Sequence, residues 1–85
     1  MATVTLYTAP HCTDCTAAAQ AMDRKRIPYA PISLAVVPSS LDYVKSLGHQ
    51  RAPVTVVQDD HGTVLDHWSG YRPDKLMHLT RTLTT

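Results

Sequence analysis

Strand-like and helix-like segments alternate along the 85 residues of this chain, and that alternation restricts its possible folds more than any other feature. Segments rich in β-branched, aromatic and apolar residues, typical of strands, lie at 2–8, 29–34, 54–58 and 63–68. Segments with helical patterns lie at 12–24, 38–47 and from Pro73 to about Leu83. The predicted order is therefore β-α-β-α-β-β-α.

This order predicts how the strands pair. A strand, a helix and a second strand in succession favour a parallel pair joined by a right-handed crossover, whereas the turn at 59–62 favours an antiparallel hairpin. Pro28 and Pro31 place the second strand at a sheet edge. We expect a single α/β domain over 1–85, with a four-stranded mixed sheet flanked by three helices on both faces. The residues predicted to line the inner helix faces are Cys15, Ala18 or Ala19, Met22, Leu41, Val44, Leu47, Leu76, Leu79 and Leu83.

Composition and charge narrow the class of protein. Hydrophobic residues make up 44% of the chain and charged residues 18%, which is typical of a globular protein and excludes disorder driven by charge. The apolar runs are too short for a membrane-spanning helix, and the start lacks the pattern of a secretory signal. The net charge is +1, with dispersed Lys and Arg. We expect a cytoplasmic monomer that binds neither membranes nor nucleic acid.

Cys12 and Cys15, the two cysteines of the chain, allow three interpretations. As a structural disulfide they would close a loop too small to add much stability. As a zinc site they would need two further ligands. His61 and His67 have zinc-finger spacing, but they lie far along the chain and a turn with Gly62 separates them. The third interpretation is a redox dithiol, which needs one activated thiol.

The position of the pair favours the redox interpretation, because it lies where the first strand leads into the first helix. A helix N-terminus carries partial positive charge, which stabilises a thiolate at Cys12. Cys12 is therefore the predicted nucleophile, and Cys15, one turn further on, the predicted resolving thiol. Asp14 lies between them, and its charge is expected to oppose the helix and favour a more reducing couple. His11 is either an assisting cation or a plain surface residue.

Ala52 and Pro53 form the second candidate site element, because a proline directly before a buried strand disturbs pairing. The peptide bond between them is either cis, which would turn the chain sharply, or trans in an ordinary turn. Position in the sequence favours neither alternative.

Four segments together resemble the NrdH-redoxins, which are glutaredoxin-like proteins with thioredoxin-like behaviour. They are 8–15 (TAPHCTDC), 41–48 (LDYVKSLG), 52–54 (APV) and 68–74 (WSGYRPD). The last of them is the most specific, and the resemblance spans nearly the whole chain. Thr13 and Asp14 depart from the family, which often has Val-Gln or Met-Gln between the cysteines.

The resemblance implies a thioredoxin fold of the glutaredoxin type, with a redox-active disulfide between Cys12 and Cys15 and a cis bond before Pro53, facing the dithiol. It implies that no cofactor is bound and that electrons pass from NADPH, through thioredoxin reductase, to the large subunit of a class Ib ribonucleotide reductase. The segment that it places as a structural network beside the active site comprises Trp68, Ser69, Gly70, Tyr71, Arg72 and Pro73, with Tyr71 in place of Phe.

Glutaredoxins, which also resemble this chain, bind the γ-glutamyl carboxylate of glutathione through N–H groups and an Asp at the start of the last helix. Pro73 removes one of those N–H groups here, although Arg72 can compensate for it. Two alternatives to the reductase route therefore stay open: recycling by a low-molecular-weight thiol (glutathione or mycothiol), and a metal-binding module that uses Cys12, Cys15 and histidines.

Overall fold

The strands and helices follow the predicted order in the computed structural model, which describes residues 2–84 and the side chains of 2–81. The strands are β1 (Thr3–Thr8), β2 (Ala30–Ser33), β3 (Val54–Gln58) and β4 (Val64–Ser69). The helices are α1 (Thr13–Arg24), α2 (Pro38–Ser46) and α3 (Pro73–Thr84). The predicted start of α1 is Cys12, but Cys12 instead caps the helix, which begins one residue later at Thr13. The longest helices have 12 residues, and none within 2–84 could cross a membrane.

The sheet has the strand order β2-β1-β3-β4. β1 pairs with β2 in parallel and with β3 antiparallel, and β4 pairs antiparallel with β3. The mixed sheet and the edge position of β2 confirm the sequence prediction. Tyr7 lies opposite Val54, and Val54 lies opposite Ser69. The end of β1, the start of β3 and the end of β4 therefore meet at one end of the sheet, where the chain continues from β1 into the cysteine motif.

Strand alternation divides the core between the two faces of the sheet, as predicted. One face packs against α1 and α3, and its buried residues are Val4, Leu6, Ala18, Ala21, Met22, Ile27, Val57, Trp68, Leu76 and Leu79. The other face packs against α2, and its buried residues are Tyr7, Val44, Val54 and Val56. The three helices thus cover both faces of the sheet, and the cysteines lie at the end of the sheet where β1 leads into α1.

Leu41 was predicted to lie on the inner face of α2, but 39% of its surface is exposed, which is the largest departure among the predicted inner residues that the structure describes. It lies in the first turn of α2, where it lines a small surface cavity with Leu34 instead of entering the core. Val44, one turn further along the helix, is buried. The stop of α2 is as predicted, because Gly48 adopts φ +91°, a conformation that favours glycine. The side chain of Leu83 lies outside the described part of the chain.

Candidate active site

Cys12 and Cys15 form a disulfide at the start of α1, with their Cα atoms 5.2 Å apart. Cys12 is the N-cap residue, and its extended backbone (φ −110°, ψ 103°) precedes the first helical turn. The backbone N–H of Cys15 donates a hydrogen bond to Sγ of Cys12 at 3.1 Å. The sulfur therefore takes the position that a Ser or Asp side chain occupies in an ordinary capped helix.

The two sulfurs differ in access. Cys15 is 5% exposed and packs beneath the helix, whereas Cys12 is half-buried. An open cleft of about 650 Å³ lies over the pair, and its lining residues are Thr8, Ala9, His11, Cys12, Thr13, Cys15, Thr16 and Ala19. A partner sulfur can therefore approach Cys12 from the cleft, while Cys15 stays within bonding distance of Cys12 from below.

Two charges predicted from the sequence lie near the cysteine pair, namely the partial positive charge of the α1 N-terminus and the carboxylate of Asp14. The N-terminus of α1 presents N–H groups toward Cys12, and Asp14 is the acidic residue of the first turn. Asp14 is exposed, so water screens its effect on the thiol. His11 is also exposed and adopts φ 57°, in the left-handed region. Within residues 2–81, no hydrogen bond joins its ring to Cys12, so a direct role for His11 gains no support.

A second, polar groove of about 250 Å³ includes Asp14, the residue between the two cysteines in the sequence. It is lined by Asp14, Arg51, Ala52, Ser69, Gly70 and Tyr71. Five of these six residues were singled out from the sequence, and the groove brings the cysteine motif, the proline loop and the end of β4 together.

The proline loop is held by its backbone. The Ala52–Pro53 peptide bond is cis, as the resemblance implies, and the sequence position alone did not decide it. Pro53 is fully buried, and its carbonyl accepts a hydrogen bond from the N–H of Gly70 at 2.7 Å. This bond ties the loop to the turn after β4, so the two halves of the groove keep a fixed spacing.

Trp68 lies in the core rather than in the groove. It is 5% exposed, lies opposite Thr55 on β3 and has Nζ of Lys75 5.7 Å from its ring centre. It belongs to the core cluster on the face of the sheet that α1 and α3 cover. Trp68 therefore has a core role, and the structural-network role that the resemblance implies for this segment stays a prediction.

The start of α3 carries the remaining predicted residues. Pro73 is the first residue of the helix, and the carbonyl of Arg72 accepts the first helical hydrogen bond, from Leu76, at 3.1 Å. Arg72 donates to Asp74 through Nε (3.1 Å) and Nη2 (2.9 Å). The hydrogen bond from Arg72 lowers the pKa of the Asp74 carboxyl and raises that of the guanidinium. The compensating role that the sequence left open for Arg72 therefore competes with a bond that it already makes.

The histidines considered for zinc do not lie together with the cysteines. Nδ1 of His67 is 2.7 Å from Nε2 of His49, and His61 lies in the exposed turn between β3 and β4. The part of the chain that the structure describes contains no group of three or more His, Cys, Asp or Glu residues placed to hold a metal ion.

Sequence reasoning missed two features near the site. Arg51 lines the groove beside Ala52, and its position directly before the Ala-Pro pair was the signal that could have identified it. The contact between His49 and His67 had no such signal, because the two residues belong to different elements and follow no shared pattern.

Comparison with known proteins agrees with this geometry. A family model described as Glutaredoxin matches residues 4–61, a span that contains Cys12, Cys15 and Pro53. The glutaredoxin-like protein NrdH of Salmonella typhimurium is 29% identical over 79 residues, which cover 93% of this chain and 90% of that protein.

Solved structures show the same similarity. The NrdH-redoxin of Escherichia coli superposes with a TM-score of 0.77 at 29% identity, covering 89% of this chain and 92% of that one. A glutaredoxin from Archaeoglobus fulgidus superposes with a TM-score of 0.76 at 25% identity, covering 95% of this chain and 88% of that one. The predicted thioredoxin-like architecture is confirmed, and a dithiol at the start of α1 is the centre of its chemistry.

Proposed function

The chain belongs to the glutaredoxin family of thiol–disulfide oxidoreductases, and we propose that it serves there as an NrdH-type electron carrier. In this role it takes electrons from NADPH through a thioredoxin reductase and passes them to the large subunit of a class Ib ribonucleotide reductase. It binds no cofactor of its own and works as a monomer in the cytoplasm, where dithiols are kept reduced.

The exchange proceeds in two displacements. The Cys12 thiolate attacks one sulfur of the partner disulfide, whose S–S bond breaks and releases one partner thiolate. Cys15 then loses its proton and attacks Sγ of Cys12, which releases the second partner thiolate and forms the Cys12–Cys15 disulfide. The two displaced partner thiolates take up protons. The dithiol of the reductase, reduced by the two electrons of NADPH, returns the pair to its reduced form by the same steps in reverse.

The geometry of the pair suits both displacements. The N–H of Cys15 points at Sγ of Cys12, so that it stabilises negative charge on this sulfur both as the attacking thiolate and as the leaving group. Cys15 is 5% exposed, which restricts it to an intramolecular attack. Because Cys12 is accessible and Cys15 is buried beside it, Cys15 can resolve the mixed disulfide on Cys12 without a second thiol from solution.

The start of α3 is the observation that favours a protein reductase over glutathione. Glutathione bound there would need free backbone N–H groups to hold its γ-glutamyl carboxylate. It would also need an accessible protein carboxylate, here that of Asp74, to hold its amino group. Pro73 supplies no N–H, and Arg72 occupies both oxygens of Asp74 at 3.1 and 2.9 Å. The E. coli NrdH-redoxin, which has the same overall structure, is described as having a thioredoxin-like activity profile.

A coupled assay tests the proposal. We expect rapid NADPH oxidation when this protein links thioredoxin reductase to a class Ib ribonucleotide reductase, and slow oxidation when glutathione and glutathione reductase replace thioredoxin reductase. Cys12→Ser is the control that removes carrier activity in both arms. Faster turnover through glutathione, or through mycothiol and its reductase, would overturn the reductase route while leaving the disulfide exchange intact.

A further inference from the structure

A pair of histidines outside the dithiol cleft joins two parts of the site. Nε2 of His49 and Nδ1 of His67 are 2.7 Å apart, and the two rings meet edge to face with their centres 4.8 Å apart. His49 follows the end of α2, and His67 lies on β4 opposite Val56. The bond therefore connects the chain leading into the proline loop with the strand that ends at the groove.

The segment between His49 and β3 is short and carries the groove residues. Residues 50–53 belong to no helix or strand, and Arg51 and Ala52 line the groove beside Asp14. The loop is fixed at its far end by the bond from Gly70 to the Pro53 carbonyl. At its near end it is fixed by the N–H of His49, which donates to Val44 at 3.1 Å, and by the ring of His49. Of these two contacts, the one between the rings of His49 and His67 joins the loop to β4.

A hydrogen bond between two imidazoles depends on their protons. One nitrogen must carry a hydrogen and the other must be bare, so the bond persists when the pair is neutral or holds one extra proton. When both rings are protonated, both facing nitrogens carry hydrogens and both rings are cationic, so the bond is replaced by repulsion. Burial lowers the pKa of His49, and the neighbouring His67 lowers it further.

The surroundings of the pair contain more cations than anions. Lys45 on α2 and Arg51 in the loop lie closest to His49, and Asp66 precedes His67 on β4, while Tyr7 and Tyr43 belong to the core cluster on the face of the sheet that α2 covers. Asp66 accepts the backbone N–H of His67 at 2.8 Å and pairs with Lys75 at 3.2 Å. Lys45 and Arg51, which line a small cavity with His49, oppose a second proton on the pair.

We propose that His49 and His67 are positioning residues for disulfide exchange, whose mutual bond holds the Arg51–Ala52 side of the groove in place and is released when both rings are protonated. Release leaves Cys12 and its helix N-terminus unchanged, since neither histidine lines the cleft over the two cysteines. The pair therefore controls how well an extended partner segment binds, and it leaves the reactivity of the thiolate alone. Small disulfides that touch only the cleft are insensitive to it.

Two substrates separate these effects. The first is an acetylated and amidated disulfide-bridged peptide without ionisable side chains, long enough to contact the groove, and the second is hydroxyethyl disulfide. Pre-reduced protein is mixed with excess substrate and quenched in acid, and its remaining thiols are counted by mass after alkylation. Both second-order rate constants depend in the same way on the thiolate fraction of Cys12, so their ratio does not depend on it. A fall of this ratio in acid then reports a change in the Arg51–Ala52 loop, and we expect about a threefold to tenfold fall as the pH is lowered below the ordinary histidine value of 6.5.

Matched variants complete the test. Gln can place its amide nitrogen near the position of Nε2 of His49, and Asn can place its amide oxygen near the position of Nδ1 of His67, so H49Q/H67N keeps an N–H to oxygen hydrogen bond that does not titrate. We expect it to retain the neutral ratio at all pH values. His49→Ala should show the low ratio already at neutral pH through a higher half-saturating peptide concentration, with an unchanged maximal rate. His61→Gln, in the exposed turn, should behave as the parent protein.

The proposal is overturned if the ratio of the parent protein does not change with pH, or if H49Q/H67N keeps the acid fall. If His49→Ala does not fold, the amide variant still decides the outcome. Nitrogen-15 shifts of the two rings provide an independent reading, since the signature of a shared proton should disappear over the same pH range as the ratio. The experiment uses model disulfides, so its result is independent of which reductase and acceptor the protein serves.

Discussion

Sγ of Cys12 accepts the backbone N–H of Cys15 at 3.1 Å, so one turn of α1 both brings the sulfurs together and directs a donor at the outer one. This relationship gives the two cysteines different tasks, because the outer sulfur is reachable and the inner one is 5% exposed.

Substituting each cysteine in turn should separate those tasks. Cys15→Ser retains the attacking thiol but cannot resolve the product, so it should accumulate a mixed disulfide with an oxidised partner. Cys12→Ser should accumulate far less, because Cys15 is only 5% exposed and offers little surface to a partner disulfide. Non-reducing electrophoresis and intact mass measure the adducts. Equal trapping by both variants would contradict the assignment.

Asp14 should raise the pKa of the neighbouring Cys12 thiol, since its carboxylate lies in the first turn of α1, where the helix otherwise favours negative charge on sulfur. Asp14→Asn should therefore shift the alkylation profile of the reduced protein to lower pH. It should increase the rate at pH ~6 about twofold to fivefold, a small effect because the carboxylate is exposed. The redox potential should become less reducing as the thiolate is stabilised. Asp42→Asn, an exposed substitution on α2, is the control, and an unchanged profile in Asp14→Asn would contradict the prediction.

Two leucines on strands provide a matched test of the core. Leu6 on β1 is fully buried between the sheet and α1, whereas Leu65 on β4 is 56% exposed. Leu6→Ala should lower the free energy of unfolding by about 2–5 kcal/mol, and Leu65→Ala should change it by less than about 0.5 kcal/mol. Denaturant unfolding followed by circular dichroism measures both. Comparable losses would mean that the core is not distributed over the two faces as described.

Pro73 and Arg72 should limit the use of glutathione. Pro73→Ala restores an N–H at the start of α3, and Arg72→Gln frees the oxygens of Asp74. Together they should increase the rate of exchange with oxidised glutathione about tenfold, the magnitude of a hydrogen bond to a charged group. Pro38→Ala makes the same change at the first residue of α2, far from the carboxylate site, and should have no effect. A double variant as slow as the parent protein would show that other features exclude glutathione.

The order of strands and helices was predictable because each segment has the period of its own element and glycine or proline at its end. Gly48 and Pro73, for example, mark a helix stop and a helix start at positions that the structure confirms. Cys12 and Cys15 were predictable as a site for the same local reason, since the motif coincides with the junction of β1 and α1.

Features that depend on packing between distant segments were not predictable. The exposure of Leu41 depends on where the first turn of α2 lies relative to the sheet edge, which the apolar stripe does not encode. The cis bond before Pro53 was undecided by position and followed only from family resemblance. The contact of His49 with His67 arises from the register of β4 against β3, because that register places His67 on the face covered by α2.

The lowered pKa of His49 should make folding stability depend on pH. Burial and the nearby His67 keep its pKa in the folded chain below the ordinary value of 6.5, so the unfolded chain binds more protons as the pH falls through that value. The contribution of His49 is therefore fully present above pH 6.5 and decreases as the pH falls toward the folded pKa. His49→Gln should be less sensitive to acid than the parent protein in denaturant unfolding of the oxidised form, with His61→Gln as the control. An acid loss of equal size in His49→Gln would place the responsible proton on another group.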